Sequence, residues 1–322
     1  MLNSILSITL PVFVLIGVGY LTARFKLLSE QVGEALGQYV YVIAIPVLIF
    51  RTLSGVDLGG QSPWALWATY FSGILVAWTA GTLVIRHGFG REARAGVIGG
   101  ISAGFANTVM VGIPLVTQVY GDDGLIAILV IISIHLPMMT IIASVLMERA
   151  AAIDNQSKPA PIAAQLKKIG KSLATNPIAI AIVCSLVWRS TGFPVTGIME
   201  DVLNRIAATA LPVALLSLGM SMVLYGLRGN ILPGLSLSLI KMLLMPAVVF
   251  VMGAYVIHLP PLWTCVATLT AACPTGVNAY IFANRFGTGH AMSTNAITVT
   301  TAAAVLTCGI WVYLVEFWRA GL

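Results

Sequence analysis

Apolar stretches of about 20 residues, separated by short polar segments, recur along the whole chain. Each is long enough to cross a hydrocarbon core about 30 Å thick. Ten such runs can be drawn, at 5–25, 32–53, 64–86, 95–119, 124–147, 176–191, 200–225, 231–257, 262–286 and 290–318. The pattern predicts an all-α polytopic membrane protein. The first run is read as helix 1 rather than a signal peptide, because no positive residue precedes it and no small-residue cleavage site follows. The longest hydrophilic segment, 148–175, contains Pro159, Pro161 and most of the lysines, and it divides the ten runs five and five. The expected organisation is therefore a first half at 1–147, a cytoplasmic linker at 148–175 and a second half at 176–322.

An odd number of spans per half forces the halves into opposite orientations if they share a fold, which is the inverted-repeat architecture of many secondary transporters. Proline spacing agrees with that expectation. Pro11 and Pro46 stand 35 residues apart, as do Pro177 and Pro212. The next interval is 68 residues to Pro114 in one half and 62 to Pro274 in the other, so the third proline lands in the fourth run of each half.

Composition sharpens the class. The chain is 58% hydrophobic and 9% charged, where soluble proteins carry about 25% charged residues; its mean hydropathy is +0.96. The net charge of +6 does not indicate a nucleic-acid partner, because the basic residues lie singly or in small groups between apolar runs. They read as topology signals instead. With the N-terminus outside, twelve of the seventeen fall in cytoplasmic loops, among them Arg24, Arg86, Arg94, Arg149, Lys158, Lys167, Lys168, Arg228 and Arg285. The positive-inside bias thus predicts a multi-pass inner-membrane protein with both termini outside, embedded in lipid. Cys184, Cys265, Cys273 and Cys308 lie in apolar runs without paired spacing, so neither a disulfide framework nor a metal site is expected, and they read as packing residues.

The candidate chemistry lies in runs four and nine, which break at Asn107-Thr108-Val-Met-Val-Gly112-Ile113-Pro114 and at Cys273-Pro274-Thr275-Gly276-Val277-Asn278. Proline removes an amide donor and clashes with the preceding turn, while glycine tolerates unwound backbone. Such breaks persist in a membrane only when buried in protein or facing water. Each break exposes the N-terminus of its second half-helix, which favours an anion, and the C-terminus of its first half, which favours a cation. The Asn107 and Asn278 amides can both donate and accept there. A lone proline usually only kinks a transmembrane helix, but paired breaks in two halves point to a transport site.

Phe105-Ala-Asn-Thr-Val-Met-Val-Gly-Ile-Pro-Leu115 followed by Tyr120-Gly121 resembles the fourth-helix motif of the auxin efflux carrier family, which includes plant PIN proteins and bacterial malonate or malate permeases. The likeness extends through Leu10-Pro11, Gly17, Gly19-Tyr20, Ile45-Pro46-Val-Leu-Ile-Phe50, Leu216-Ser-Leu-Gly219, Cys273-Pro-Thr-Gly276 and Ile281-Phe-Ala283. It implies ten helices with helices 4 and 9 crossed, as in sodium/proton antiporters and bile-acid symporters. It also implies a scaffold of helices 1, 2, 6 and 7, a mobile transport domain of helices 3–5 and 8–10, elevator-like movement, and a homodimer through the scaffold. The chain departs from the plant members in its short central linker, and in Asn278-Ala279 where they tend to have an apolar residue and proline. The bacterial branch makes a small mono- or dicarboxylate the expected substrate.

Other residues carry open alternatives. His135, in run five, suits either a proton relay or a neutral hydrogen-bonded role. Lys241 and Arg205 read as intramembrane positives that snorkel to an interface along their stems, with substrate contact the lesser expectation. Ser293, Thr294, Asn295, Thr298 and Thr301 make the start of run ten polar, either to line a cavity and hold an ion or to bond between helices. The coupling ion, if there is one, is H+ or Na+, and a uniporter needs neither. No cofactor is expected. Gly96, Gly100 and Gly104 form a small-residue stripe read as packing. A cation/proton antiporter normally needs carboxylates at the breaks, where this chain has none. A carboxylate sensor would use the same site without flux. No HExxH, nucleophile elbow or metal-ligand cluster suggests an enzyme.

Overall fold

The computed structural model describes residues 2–55, 63–155, 170–171, 174–225, 227 and 229–322. Most of the expected linker, with Lys158, Pro159, Pro161, Lys167 and Lys168, lies outside the described residues, as does Arg228. Every extended element among the described residues is a helix, as a polytopic α-helical membrane protein requires, because no backbone group can be left unpaired in lipid. Its helices are α1 (Leu2–Arg24), α2 (Glu30–Ser54), α3 (Pro63–Gly88), α4 (Ala93–Gly104), α5 (Thr108–Ile153), α6 (Pro177–Ser190), α7 (Ile198–Tyr225), α8 (Leu232–Val256), α9 (Pro261–Ala272), α10 (Asn278–Phe286) and α11 (His290–Ala320). Six of them, α2, α3, α5, α7, α8 and α11, are long and apolar enough to cross a membrane.

At 46 residues, α5 would run about 69 Å if straight, more than twice the apolar thickness of a bilayer. It is divided at Gly121, whose φ of 63° and ψ of −152° lie outside the helical region. A side chain would strain there, so glycine is required. Runs four and five, expected as separate spans, are thus joined across this single residue, with Asp122 and Asp123 exposed beside it.

Proline explains a second feature. Pro46, Pro114 and Pro246 each follow a widened π-helical turn, at Val40–Ala44, Thr108–Gly112 and Ile240–Leu244. The wide turn moves aside the carbonyl that the proline ring would strike, so the helix continues. Pro114 therefore does not break its helix. The unwound stretch comes earlier, at Phe105–Asn107, just before the π turn.

Two short helices, α4 and α9, define the centre. Every residue of α4 from Ala95 to Gly104, and of α9 from Trp263 to Ala272, is buried. A helix apolar on all sides belongs inside a bundle. At 12 residues each, they reach about 18 Å and stop partway through the membrane.

Glycines set the closest approaches. A Cβ on Gly19 of α1 would overlap the Leu216 carbonyl of α7, and one on Gly219 would overlap that of Ile16, so these two backbones touch. The stripe at Gly96, Gly100 and Gly104 meets side chains of α3, those of Arg86, Trp78 and Ile74. The backbone contact between α3 and α4 is made instead by Gly81 and Gly99.

The N-terminus of α4 is closed from a distance. The Asp154 carboxylate, just past α5, accepts from the amides of Ala93 at 2.9 Å and Arg94 at 3.0 Å, and from Arg94 Nε at 3.2 Å. Those amides have no intrahelical partners, so the carboxylate both caps them and answers the positive end of the helix dipole.

Candidate functional site

Where α4 and α9 stop, their continuations meet. Ala106 and Thr275 form an isolated antiparallel bridge. The Asn107 amide donates to the Pro274 carbonyl at 2.8 Å, and the Gly276 amide donates to that of Phe105 at 2.8 Å. The two unwound stretches thus satisfy each other as a short piece of sheet, which is how non-helical backbone survives at membrane depth.

Each first half-helix ends in carbonyls without intrahelical donors. In α4, Ser102 O accepts from Thr275 Oγ1 at 2.8 Å and Ile101 O from the Phe105 amide at 2.8 Å. In α9 the donors are of another kind. Lys241 Nζ donates to Ala271 O, Cys308 Sγ lies 3.5 Å from Ala272 O, and Cys273 Sγ lies 3.4 Å from Leu269 O. Lys241 has 0% of its surface exposed. The snorkelling expected of it does not occur, because the negative end of α9 offers its ammonium a closer partner than the membrane surface does. Arg205, in contrast, is exposed.

A cavity of about 430 Å³ opens against this crossover. Asn107, Thr108, Gly276, Val277 and Asn278 form its inner wall, and α2 and α7 close it with Tyr41, Ser217 and Ser221. Glu30 and Glu34, both exposed, stand at its other end. Asn107 Oδ1 accepts from the Met110 amide at 3.2 Å and so caps the π turn. That assignment leaves the side-chain NH2, a donor only, as the group available to the cavity. The first turn of α10 begins at the same wall, after Val277; the Ala279 amide donates to Gly276 O at 3.1 Å and those of Tyr280 and Ile281 to Val277 O at 3.0 and 3.2 Å, so the turn offers the cavity the positive end of its dipole rather than a row of free amides.

Of the residues expected to bind substrate, Gly112, Ile113, Pro114, Pro274 and Thr275 lie behind the wall. Gly112 packs near Ile128 and Cys273, and the Thr275 amide donates to Thr300 Oγ1 at 3.0 Å. They build the crossover that holds the other five. Thr294, Asn295 and Thr298 are not on the cavity wall either. Asn295 Nδ2 donates to Asn230 O at 3.3 Å, so Asn295 and Thr300 tie α11 to non-helical segments, the one before α8 and the unwound stretch after α9.

His135 does reach the cavity. It is 1% exposed and stacks edge-on against Phe105 at 5.0 Å and Tyr70 at 5.5 Å. It faces the Ala106 carbonyl, yet neither ring nitrogen completes a hydrogen bond. A buried imidazole with two unsatisfied nitrogens at the cavity wall can hydrogen-bond a ligand or a water there.

Sequence reasoning missed Tyr41, Ser221 and the place of Lys241. Ser217 lies within the quoted Leu216-Ser-Leu-Gly219 motif without having been read as a site residue, and it also donates to Gly33 O at 3.0 Å. The signal for Lys241 was its charge in mid-run.

A multi-span helical chain whose two interrupted helices meet at a cavity is a membrane transporter by class. The family profile described as membrane transport protein matches residues 4–312, and the chain belongs to that family, the auxin efflux carriers and their relatives. It is 25% identical over 330 residues to the "Putative malonate transporter" of Rhizobium meliloti (strain 1021), covering 97% of this chain and 96% of the relative. It is 23% identical to auxin efflux carrier component 8 of Arabidopsis thaliana, covering 88% and 89%. An "Uncharacterized transporter" of Methanothermobacter thermautotrophicus is also 23% identical, covering 94% and 95%.

Proposed function

We propose that this chain is an elevator-type carrier of small mono- or dicarboxylates, built as two inverted five-helix repeats with the anion site at the crossover. The observation that carries the reading is the paired break: two 12-residue buried helices end at one antiparallel bridge. Further support for the repeat is that α3 and α8, which precede them, both close on a π turn, at Val84–Gly88 and Met252–Val256. In this reading helices 1, 2, 6 and 7 of the ten form the scaffold and dimer interface, and helices 3–5 and 8–10 form the moving body. The positive-inside bias puts both termini outside and the Glu30–Glu34 mouth on the cytoplasmic side.

The chemistry is that of an anion held without a facing arginine. The Asn107 NH2 supplies a donor, the N-terminus of α10 the positive end of a helix dipole, and Lys241 behind the bridge a fixed positive charge. Where transport is coupled, His135 at the wall makes a proton the fitting ion, and Thr294, Asn295 and Thr298 serve packing rather than sodium. A similarity to a protein described as a malonate transporter makes malonate the first substrate to try.

The test separates a carrier from a sensor or an antiporter. Purified protein in liposomes is loaded with unlabelled malonate and challenged with labelled malonate outside. Saturable counterflow supports the carrier. Malonate binding without counterflow supports the sensor, and proton flux driven by an added cation without malonate supports the antiporter.

A further inference from the structure

A second groove lies away from the crossover, among α3, α4 and α5, with a volume of about 370 Å³. Leu83, Val97, Leu146 and Ile153 give it apolar walls, and Arg86 and Arg149 stand at one end. Leu83 and Ile153 are 50% and 61% exposed, so the groove opens on the outer surface of the bundle, where a membrane protein meets lipid.

The two guanidiniums are uncommitted. Neither Arg86 nor Arg149 has an ion pair among the described residues. Two acids of this corner are engaged elsewhere: Asp154 holds the first amides of α4 and Arg94 Nε, and Glu92 accepts from Thr288 Oγ1 at 2.6 Å and lies 3.4 Å from Arg94. Arg94 is consumed by these contacts. The Arg86 stem is laid across Gly96, whose missing side chain gives it room along α4. Both charges stand beside the final turns of α3 and α5, close to where those helices leave the apolar region.

We propose that this groove is a binding site for an anionic phospholipid, with the phosphate between Arg86 and Arg149 and an acyl chain along Leu83, Val97 and Leu146. Two positive groups heading an apolar cleft match such a lipid in both halves of its structure, and basic pockets between transmembrane helices bind anionic headgroups in this manner. A zwitterionic phospholipid offers the same chain, but the cationic choline beside its phosphate meets the two arginines unfavourably. The site joins three consecutive helices around the capped start of α4, so its occupant braces that corner. The inference does not depend on what the crossover carries.

The test uses the purified protein in a neutral detergent, titrated in parallel with phosphatidylglycerol, phosphatidylcholine and inorganic phosphate. Thermal unfolding and native mass spectrometry are the readouts. Phosphatidylglycerol is expected to raise the unfolding temperature by several degrees and to bind at least tenfold more tightly than phosphatidylcholine, while inorganic phosphate at equal concentration gives no shift. R86Q/R149Q is expected to lose that preference with its lipid-free unfolding temperature unchanged. If the double variant does not fold, Arg149→Gln alone, at an exposed position, must weaken the preference. Equal binding of the two lipids, a full shift by inorganic phosphate, or an unaltered preference in the folded variant overturns the proposal.

Discussion

The two breaks solve one problem by different means. At the end of α4 the loose carbonyls are met by a hydroxyl and by backbone amides, all neutral. At the end of α9 they are met by a buried ammonium and two thiols. Proline is placed differently as well, inside the second break at Pro274 but beyond the π turn of the first at Pro114. Two breaks can therefore occupy matching places in a bundle while only one carries a formal charge. The negative end of α9, which would otherwise attract a cation, is occupied by part of the protein itself.

Removing that charge is the strongest way to break the contrast. Lys241→Met keeps the stem but deletes the ammonium, leaving Ala271 O without its donor at a cost of about 1–3 kcal/mol. Uptake of the carried anion is expected to fall by about two orders of magnitude, the scale on which a fixed electrostatic group in a dry site acts. Assays at matched protein levels check this. The same operation at the neutral break is milder. Thr275→Val removes the hydroxyl that bonds Ser102 O and is expected to lower stability by about 1–3 kcal/mol, seen in thermal unfolding, with uptake reduced less than in Lys241→Met. Equal losses in the two variants would erase the distinction between the breaks.

A smaller effect belongs to the mouth of the cavity. Glu30 and Glu34 are exposed there, and like charge slows the arrival of an anion over a Debye length of about 10 Å at 0.1 M salt. E30Q/E34Q is expected to lower the KM for a dicarboxylate a few-fold at low ionic strength, with the gain vanishing in high salt. Uptake kinetics across a salt series read it.

The smallest effect lies farthest from the crossover, at Asp154. Burial acts to raise its carboxyl pKa, but the amides of Arg94 and Ala93 and the Arg94 guanidinium outweigh it and hold the group below its ordinary 3.8. A depressed folded value means the carboxylate's contribution is complete above pH about 4 and is lost as pH falls through the lowered folded value. Asp154→Asn is expected to cost about 1 kcal/mol at neutral pH, the scale of a lost helix cap. The difference from the parent protein should shrink in acid, as unfolding temperatures from pH 7 down to pH 3 will test.

What was legible in the sequence follows the range of each interaction. The apolar runs and both breaks were readable because each is written in consecutive residues. Three of the π turns left only a proline two residues on as a trace, and their consequence, that Pro114 continues its helix, depends on a shift of backbone register that no side chain records. Lys241 showed its depth along a run but not which way it turned, and its partner at Ala271 is 30 residues away. Tyr41, Ser217 and Ser221 come to the cavity from α2 and α7, far in sequence from either break. Asp154 caps a helix that begins 61 residues earlier. The four cysteines read only as packing, yet two of them donate to the end of α9.

The central claim is that the wall at Asn107 donates hydrogen bonds to an anion. Asn107→Asp keeps the shape and the Oδ1 that caps Met110, and replaces the NH2 facing the cavity with a second oxygen. Uptake of labelled malonate into liposomes, by the parent protein and by this variant, tests the claim most directly. The account predicts that the parent takes up malonate saturably and that the variant, still folded, loses uptake at least about 100-fold, as an acceptor and a charge now meet the anion where a donor stood. Uptake by Asn107→Asp equal to that of the parent would contradict it.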